Sequence, residues 1–302
     1  MSNRSSRLTL FIALGYVAAT LLMYAALPQF PGQVDQVAWN YAAVIILVLL
    51  VRTTVKQRAM EVLAPRWAGR RLLVTTVLTL VLILVVGVAF MAMAKAATDA
   101  ESRFLPLAAL PSILQNNARI LLAGGLIVTA LEVGVVWIQM PTFWRALSMN
   151  VEDLKTTLIV IVVGTCLAAL RNLVFLGQTH WSYDLSPVTM LAIPAFMLQL
   201  LVNGFPEEVL FRVYILGTLL RSTRKVYLAL LGMIIVFDLF HVPLQLLTQP
   251  GGTSWWLWVV YALFPSQPTG LLYGYLYLRR RSLVPSVAVH TYFSLWGFPF
   301  VS

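Results

Sequence analysis

The chain has 302 residues, of which 60% are hydrophobic and only 11% are charged, and its formal net charge is +10. Soluble globular proteins carry roughly 25% charged residues, so this chain has too few charges to cover a soluble surface. The balance excludes a soluble enzyme, a disordered chain and a fibre, and it predicts an all-α protein that crosses a lipid bilayer several times.

Nine apolar runs follow one another along the chain. They lie at residues 8–27, 37–51, 72–94, 120–140, 156–170, 187–220, 226–247, 255–278 and 283–301. Since a spanning helix needs about 20 apolar residues, we expect a polytopic bundle of about eight to nine spans. The second and fifth runs are short, and these helices are expected either to be tilted or to be extended by flanking residues. The sixth run is too long for one span, and Gly204 and Pro206 are expected to divide it into a span and an offset helix.

Most basic residues lie in the segments that are expected to face the cytoplasm. If the N-terminus is cytoplasmic and each run crosses once, the outer segments contain only Lys95, Arg103, Arg119 and Arg171. The cytoplasmic segments then contain 16 basic residues, which is the asymmetry of a membrane protein with its N-terminus inside. Because this asymmetry explains the net charge, the lipid bilayer is the expected partner and nucleic acid is not.

Ionisable residues inside apolar runs are candidates for function, because inserting each one costs about 2.5–3.5 kcal/mol. The late runs contain Glu207, Glu208, Arg212, Asp238, His241 and His290. An earlier run contains Glu132. No motif surrounds Glu132, and we interpret it as a structural hydrogen-bonding residue or as the edge of a wrongly placed span rather than as a substrate contact.

The spacing of these residues predicts that they meet. Glu208 and Arg212 are four residues apart on one helix face and can form an ion pair. Counted from the nearest basic clusters, Glu208, His241 and His290 lie at depths of about 20, 24 and 14 Å along continuous helices. We therefore expect two carboxylates and two imidazoles to converge in one buried pocket.

Such a pocket suits hydrolysis by water. A carboxylate shielded from bulk water is a stronger base, and a neighbouring imidazole can hold and orient a water molecule. A second imidazole can stabilise an oxyanion as it forms. The single cysteine, Cys166, lies in another run with no His or Asp at helical spacing, so a covalent intermediate is not favoured.

Three ordered motifs resemble those of the CPBP family. Residues 207–212 read EExxxR, residues 237–241 read FxxxH, and residues 290–294 read Hxxx followed by serine. The family comprises the type II CAAX prenyl proteases and the bacteriocin-processing or self-immunity proteins, also called the abortive-infection family. The resemblance covers residues 185–302. Residues 1–184 form an N-terminal transmembrane region of about five spans that resembles no family we can name.

The resemblance implies an intramembrane glutamic endopeptidase in the cell membrane of a prokaryote, which acts on a peptide or membrane protein without a cofactor. It implies that Glu207 is the general base and that His241 shares the catalytic water with it. It also implies that His290 and Ser294 form the oxyanion site. Supporting positions in the same motifs are Glu208, Arg212, Phe237 and Asp238.

Three alternatives stay open at this point. Many family members have Asn where this chain has Ser294, and a hydroxyl reaches less far, so a catalytically inactive immunity or scaffold protein is one alternative. A zinc-dependent membrane protease would use the two glutamates and two histidines as ligands, although HExxH is absent and Arg212 disfavours a second cation. A proton or ion transporter is the third, and the absence of an apparent inverted repeat argues against it.

Overall fold

The computed structural model of the protein describes residues 15–25, 33–58, 69–102, 110–176, 196–197, 199–248, 256, 259–260, 263–264 and 268–296. Within these ranges the chain folds into helices joined by short turns, with no strand. The predicted all-α fold class is therefore confirmed. The expected boundary between the two regions, at residues 184 and 185, lies outside the described ranges.

Nine helices account for most of the described part of the chain, and at least one of them overlaps each apolar run. They are α1 (Gly15–Ala25), α2 (Gln33–Thr54), α3 (Gly69–Ser102), α4 (Leu110–Gln139), α5 (Val151–Leu176), α6 (residues 200–223), α7 (Val226–Thr248), α8 (Thr269–Arg280) and α9 (Val284–Trp296). A 3₁₀ turn, Phe143–Leu147, connects α4 to α5. Helices α2 and α5 reach 22 and 26 residues, which confirms that flanking residues extend the two short apolar runs.

Several helices are apolar enough to lie in a bilayer. Three contain an apolar stretch long enough to cross it, at Val37–Thr54, Val151–Arg171 and Val226–Pro243. Shorter apolar helical stretches lie at Gly15–Ala25, Val74–Ala89 and Ala123–Gln139. Large apolar side chains also face outward along these helices, where lipid rather than water would solvate them. The chain is an integral membrane protein.

Helix α6 is wound differently from its neighbours. Leu200–Gly204 and Val209–Ile215 are π-helical, and the four-residue α-helical segment Phe205–Glu208 lies between them. The backbone at Gly204 stays helical, with φ −59° and ψ −48°. The predicted break at Gly204 and Pro206 is therefore wrong for the described residues, because a wide turn accommodates a proline that lacks its N–H.

Helix α6 is also the centre of the packing. Every residue from 206 to 217 is buried. Its first part packs against α4 and α9, its middle against α4, and its last part against α7. The shared apolar core includes Leu210 of α6, Val136 of α4 and Met233 of α7. Helices from both regions of the chain thus surround the EExxxR motif.

A glycine permits the closest of these approaches. A Cβ atom at Gly204 would collide with the hydroxyl oxygen of Thr291 on α9, so a larger residue would push the two helices apart. Glu207 and Glu208 follow Gly204 by about one turn, and His290 immediately precedes Thr291. The close contact of α6 with α9 therefore brings both glutamates to the second histidine.

Candidate active site

Glu208 joins two helices at the centre of the site. Its side chain is fully buried, and Oε1 lies 3.1 Å from Nη2 of Arg212, which confirms the predicted ion pair. The same Oε1 lies 3.0 Å from Nδ1 of His290. Because an ionised carboxylate only accepts hydrogen bonds, Nδ1 of His290 is the donor. This hydrogen bond fixes the orientation of the His290 ring.

Glu207 lies between the two imidazole rings. Its Oε1 is 3.5 Å from Nε2 of His241, and its Oε2 is 3.8 Å from Nε2 of His290. The side chains of Glu207 and His241 are 11% and 26% exposed, whereas that of Glu208 is fully buried. The structure thus brings the two glutamates and two histidines together, and the set opens on the side of His241.

Phe237 supports His241 through its backbone and its ring. Nδ1 of His241 lies 2.7 Å from the carbonyl oxygen of Phe237, which only accepts, so Nδ1 carries the proton. In the neutral ring, Nε2 then presents a lone pair on the side of Glu207. The Phe237 ring packs 4.6 Å from the His241 ring, and the Arg212 guanidinium lies 4.9 Å from its centroid.

Two of the predicted residues lie at the margin of this set. Oδ2 of Asp238 is buried without a hydrogen-bond partner in the described part of the chain, and the carboxyl group interacts electrostatically with His241. Tyr16 and Tyr41 of the N-terminal helices also lie within electrostatic range of Asp238. The side chain of Ser294 on α9 is exposed, so Ser294 lies outside the buried part of the site.

Arg212 is held in the protein interior with incomplete hydrogen bonding. Its Nη1 lies 2.9 Å from the sulfur of Met233, and the guanidinium lies over the rings of Phe237 and Tyr273. Its Nε has no hydrogen-bond partner among the described residues, and Nη2 contacts Glu208 without hydrogen-bond geometry. Cation–π contacts of this kind stabilise a desolvated guanidinium by about 0.5–2 kcal/mol each.

Sequence reasoning missed the part that two further residues play. Tyr273 of α8 stacks on His290 with ring centroids 4.7 Å apart and planes 15° apart; no motif marks it, because the stack depends on how helices pack. Glu132 of α4 is buried and interacts electrostatically with Glu207 and His241. Its place in an apolar run was the available signal, but the sequence did not connect it with the motifs.

The arrangement of candidate ligand side chains bears on the zinc-dependent alternative. No group of three or more His, Cys, Asp or Glu side chains in the described ranges is arranged to hold a metal ion. One oxygen of Glu208 already contacts Arg212 and His290, and the guanidinium places a positive charge beside it. The expectation that the protein needs no cofactor stays a prediction.

Comparison with known proteins bears on the same part of the chain. Residues 189–296 match the family model described as Type II CAAX prenyl endopeptidase Rce1-like. The match covers about a third of the chain and includes all three motifs. No curated protein and no solved structure matches the chain. The match gives residues 189–296 of this integral membrane protein a domain of the type II CAAX prenyl endopeptidase type, and it supports placing that domain in the CPBP family.

Proposed function

We propose that the protein is an intramembrane endopeptidase that hydrolyses a peptide bond with a water molecule activated by Glu207. The observation that carries the proposal is the position of the Glu207 carboxylate, 3.5 Å from Nε2 of His241 and 3.8 Å from Nε2 of His290. A base and two imidazoles within this range can act on one water and one carbonyl group. The family match supports the protease activity.

The water binds at the open edge between Glu207 and His241. It donates one hydrogen bond to the Glu207 carboxylate and is held in place by Nε2 of His241, and one of its lone pairs faces the substrate carbonyl. As the new carbon–oxygen bond forms, Glu207 takes one proton from the water. That proton then passes to the amide nitrogen as the carbon–nitrogen bond breaks, and the Glu207 carboxylate is regenerated.

His290 stabilises the negative charge on the carbonyl oxygen. Its Nδ1 proton is already donated to Glu208, so Nε2 can donate only when the ring carries a second proton. Arg212 holds Glu208, the acceptor of that Nδ1 proton, in place. Ser294 adds a second donor from the exposed side. Fixed donors of this kind are worth about 10²–10³ in kcat each in well-formed oxyanion sites.

The substrate is a peptide or membrane protein that enters from the cytoplasm or laterally from the bilayer, and no cofactor is involved. The N-terminus lies in the cytoplasm and the protein resides in the cell membrane of a prokaryote. The distribution of Lys and Arg along the sequence supports this orientation. Single cysteines introduced into the segments between the helices, labelled from one side of sealed vesicles, test it.

The decisive experiment replaces Glu207 by Gln, which keeps the shape of the side chain and removes the base. The protein is placed in liposomes with two internally quenched peptides of the same scissile sequence, one anchored by a prenylated CAAX end and one by a transmembrane helix. We expect Glu207→Gln to lower the cleavage rate at least about 100-fold. Glu152→Gln, which removes a partly exposed carboxylate outside the site, is expected to cleave normally.

Each other outcome counts against part of the proposal. Unchanged cleavage by Glu207→Gln contradicts a glutamate base. Loss of wild-type cleavage on chelation, restored by zinc, favours the metal-dependent alternative. If the folded wild-type protein cleaves neither peptide, the result contradicts the endopeptidase proposal and favours an inactive immunity or scaffold protein.

A further inference from the structure

Pro206 leaves one backbone carbonyl of α6 without a donor from its own helix. In a π-helix each N–H donates to the carbonyl five residues earlier, and the N–H of Phe205 donates in this way to Leu200. In the same pattern the next carbonyl, that of Leu201, would accept from residue 206. That residue is a proline, which has no N–H. The carbonyl of Leu201 therefore needs a hydrogen from elsewhere.

Thr129 of α4 supplies this hydrogen. Its hydroxyl donates to the carbonyl oxygen of Leu201 at 2.9 Å. Threonine in a helix commonly donates to a carbonyl in the preceding turn of its own helix, as Thr54 does to Leu50. Thr129 reaches a different helix instead. Hydroxyl side chains of this kind complete the backbone hydrogen bonds that a proline removes from a membrane helix.

The second π-helical segment of α6 is also hydrogen-bonded to α4. The hydroxyl of Tyr214 in this segment donates to Oε1 of Gln139 at 2.6 Å, and both side chains are buried. The contacts at Leu201 and Tyr214 lie six residues before Glu207 and six residues after Glu208. Helix α4 therefore holds α6 on both sides of the two glutamates.

We propose that Thr129 is a positioning residue of the active site, which completes the hydrogen bonding of α6 at Pro206 and so fixes the winding that directs Glu207 and Glu208 toward the two histidines. The inference rests on the proposed function. It gives the N-terminal region a part in the site, because Thr129 lies outside the matched residues 189–296.

The hydroxyl of Thr129 decides between two acceptors for one N–H. While Thr129 satisfies the carbonyl of Leu201, the N–H of Phe205 donates to Leu200 and the turn is π-helical. Without the hydroxyl, the N–H of Phe205 moves to Leu201, four residues earlier, and the turn becomes α-helical. The side chains that follow then rotate about the helix axis, and the glutamates turn away from the histidines.

The test compares Thr129→Val, which keeps the shape of the side chain and removes the donor, with Thr129→Ser, which keeps the donor. In the two-peptide liposome assay we expect Thr129→Val to lower kcat about tenfold with KM unchanged, since a displacement of about 1 Å at the reacting groups can cost about 100-fold. Thr129→Ser is expected to keep most of the wild-type kcat. The matched control is Thr54→Val, which removes a hydroxyl that donates within its own helix and is expected to cleave normally.

The imidazole signals of His290 report the same change without cleavage. The chain has three histidines, so nitrogen-15 labelling of histidine gives a simple spectrum, in which His290→Gln identifies the signals of His290. Because Nδ1 of His290 donates to Glu208 at 3.0 Å, we expect Thr129→Val to shift this signal and Thr54→Val to leave it unchanged. Pro206→Ala supplies an N–H at residue 206, so Thr129→Val is expected to shift the signal less in that background.

Several outcomes would overturn the inference. They are a wild-type kcat per folded molecule in Thr129→Val, a kcat as low in Thr129→Ser as in Thr129→Val, and a His290 signal that Thr129→Val does not move. Thermal unfolding in detergent reports the folded fraction, and Thr129→Ala decides the question if Thr129→Val does not fold. Full activity of Glu207→Gln overturns the proposed function instead, and the His290 signals then test the inference alone.

Discussion

Two buried arginine–carboxylate pairs in this protein are built in different ways. Near the turn between α8 and α9, Arg280 donates from Nε to Asp153 at 2.7 Å, from Nη1 to the carbonyl of Lys56 at 2.6 Å, and from Nη2 to the side chain of Asn150 at 2.8 Å. Asp153 in turn accepts from the backbone N–H of Asn150. Every nitrogen of this guanidinium is hydrogen-bonded.

The pair in the candidate site is incomplete by comparison. Arg212 and Glu208 are both fully buried, yet Nε of Arg212 and Oε2 of Glu208 have no hydrogen-bond partner among the described residues. A buried polar group without a partner costs about 1–3 kcal/mol. The comparison teaches that a buried ion pair does not by itself indicate function. If the proposed function holds, we expect the completeness of hydrogen bonding to separate a pair that holds helices together from one that serves the reaction.

The largest effect on stability is expected for the pair of Arg280 and Asp153, in which every guanidinium nitrogen is hydrogen-bonded. Arg280→Ala removes the cation that hydrogen-bonds to the fully buried Asp153 and leaves only Arg58, at 3.7 Å. We therefore expect the free energy of unfolding to fall by about 3 kcal/mol, the low end of the cost of an unpaired buried charge. Denaturant-induced unfolding in detergent micelles measures it. Lys155→Ala breaks only the exposed contact to Glu152 at 3.9 Å and is expected to cost less than about 0.5 kcal/mol. Equal stability of the two variants would contradict a structural role for the pair of Arg280 and Asp153.

For the pair of Arg212 and Glu208, whose hydrogen bonding is incomplete, we expect substitution to lower activity and to leave stability unchanged. Glu208→Gln combined with Arg212→Met removes both charges together, and such replacements of buried pairs are often neutral or stabilising. Glu208→Gln leaves His290 a neutral amide oxygen in place of an ionised carboxylate as its acceptor, so cleavage of the quenched peptides is expected to fall about 100-fold. A stability loss as large as that of Arg280→Ala, with cleavage retained, would show that the pair of Arg212 and Glu208 is structural rather than catalytic.

A smaller effect is expected from the ring that packs beside the incomplete pair. Tyr273 stacks on His290, and aromatic pairs of this kind are worth about 0.5–1.5 kcal/mol. We expect Tyr273→Leu to lower kcat up to about tenfold, since the imidazole is less well held. Tyr273→Phe keeps the stack and is expected to keep the rate. If Phe is as harmful as Leu, the hydroxyl group rather than the ring is the active feature.

What could be predicted from the sequence is local. Each apolar run is long enough to predict a helix without knowledge of the rest of the chain. The spacing of Glu208 and Arg212 likewise predicts their contact within one helix. The hydrogen bond from His290 to Glu208 depends instead on how closely α6 approaches α9. That approach depends on Gly204, which the sequence analysis treated only as a helix breaker.

Two other features had no local signature. The stack of Tyr273 on His290 needs α8 and α9 to pack in register, and no spacing within one apolar run describes it. A π-helical turn differs from an α-helical turn in which backbone carbonyl accepts each N–H, and amino-acid composition does not determine this for α6. The sequence therefore predicts a break at Gly204 and Pro206, whereas the helix continues through both residues with a change of winding.

The winding of α6 has a consequence for changes in chain length. A π turn holds one more residue than an α turn, so each one rotates the following side chains by about 100° relative to a regular α-helix. Segments of this kind lie on both sides of Phe205–Glu208. The direction in which the two glutamates face is therefore set by the number of residues in these turns. Deleting one residue from either turn would change that rotation while leaving every motif intact, so insertions and deletions here would be more harmful than most substitutions.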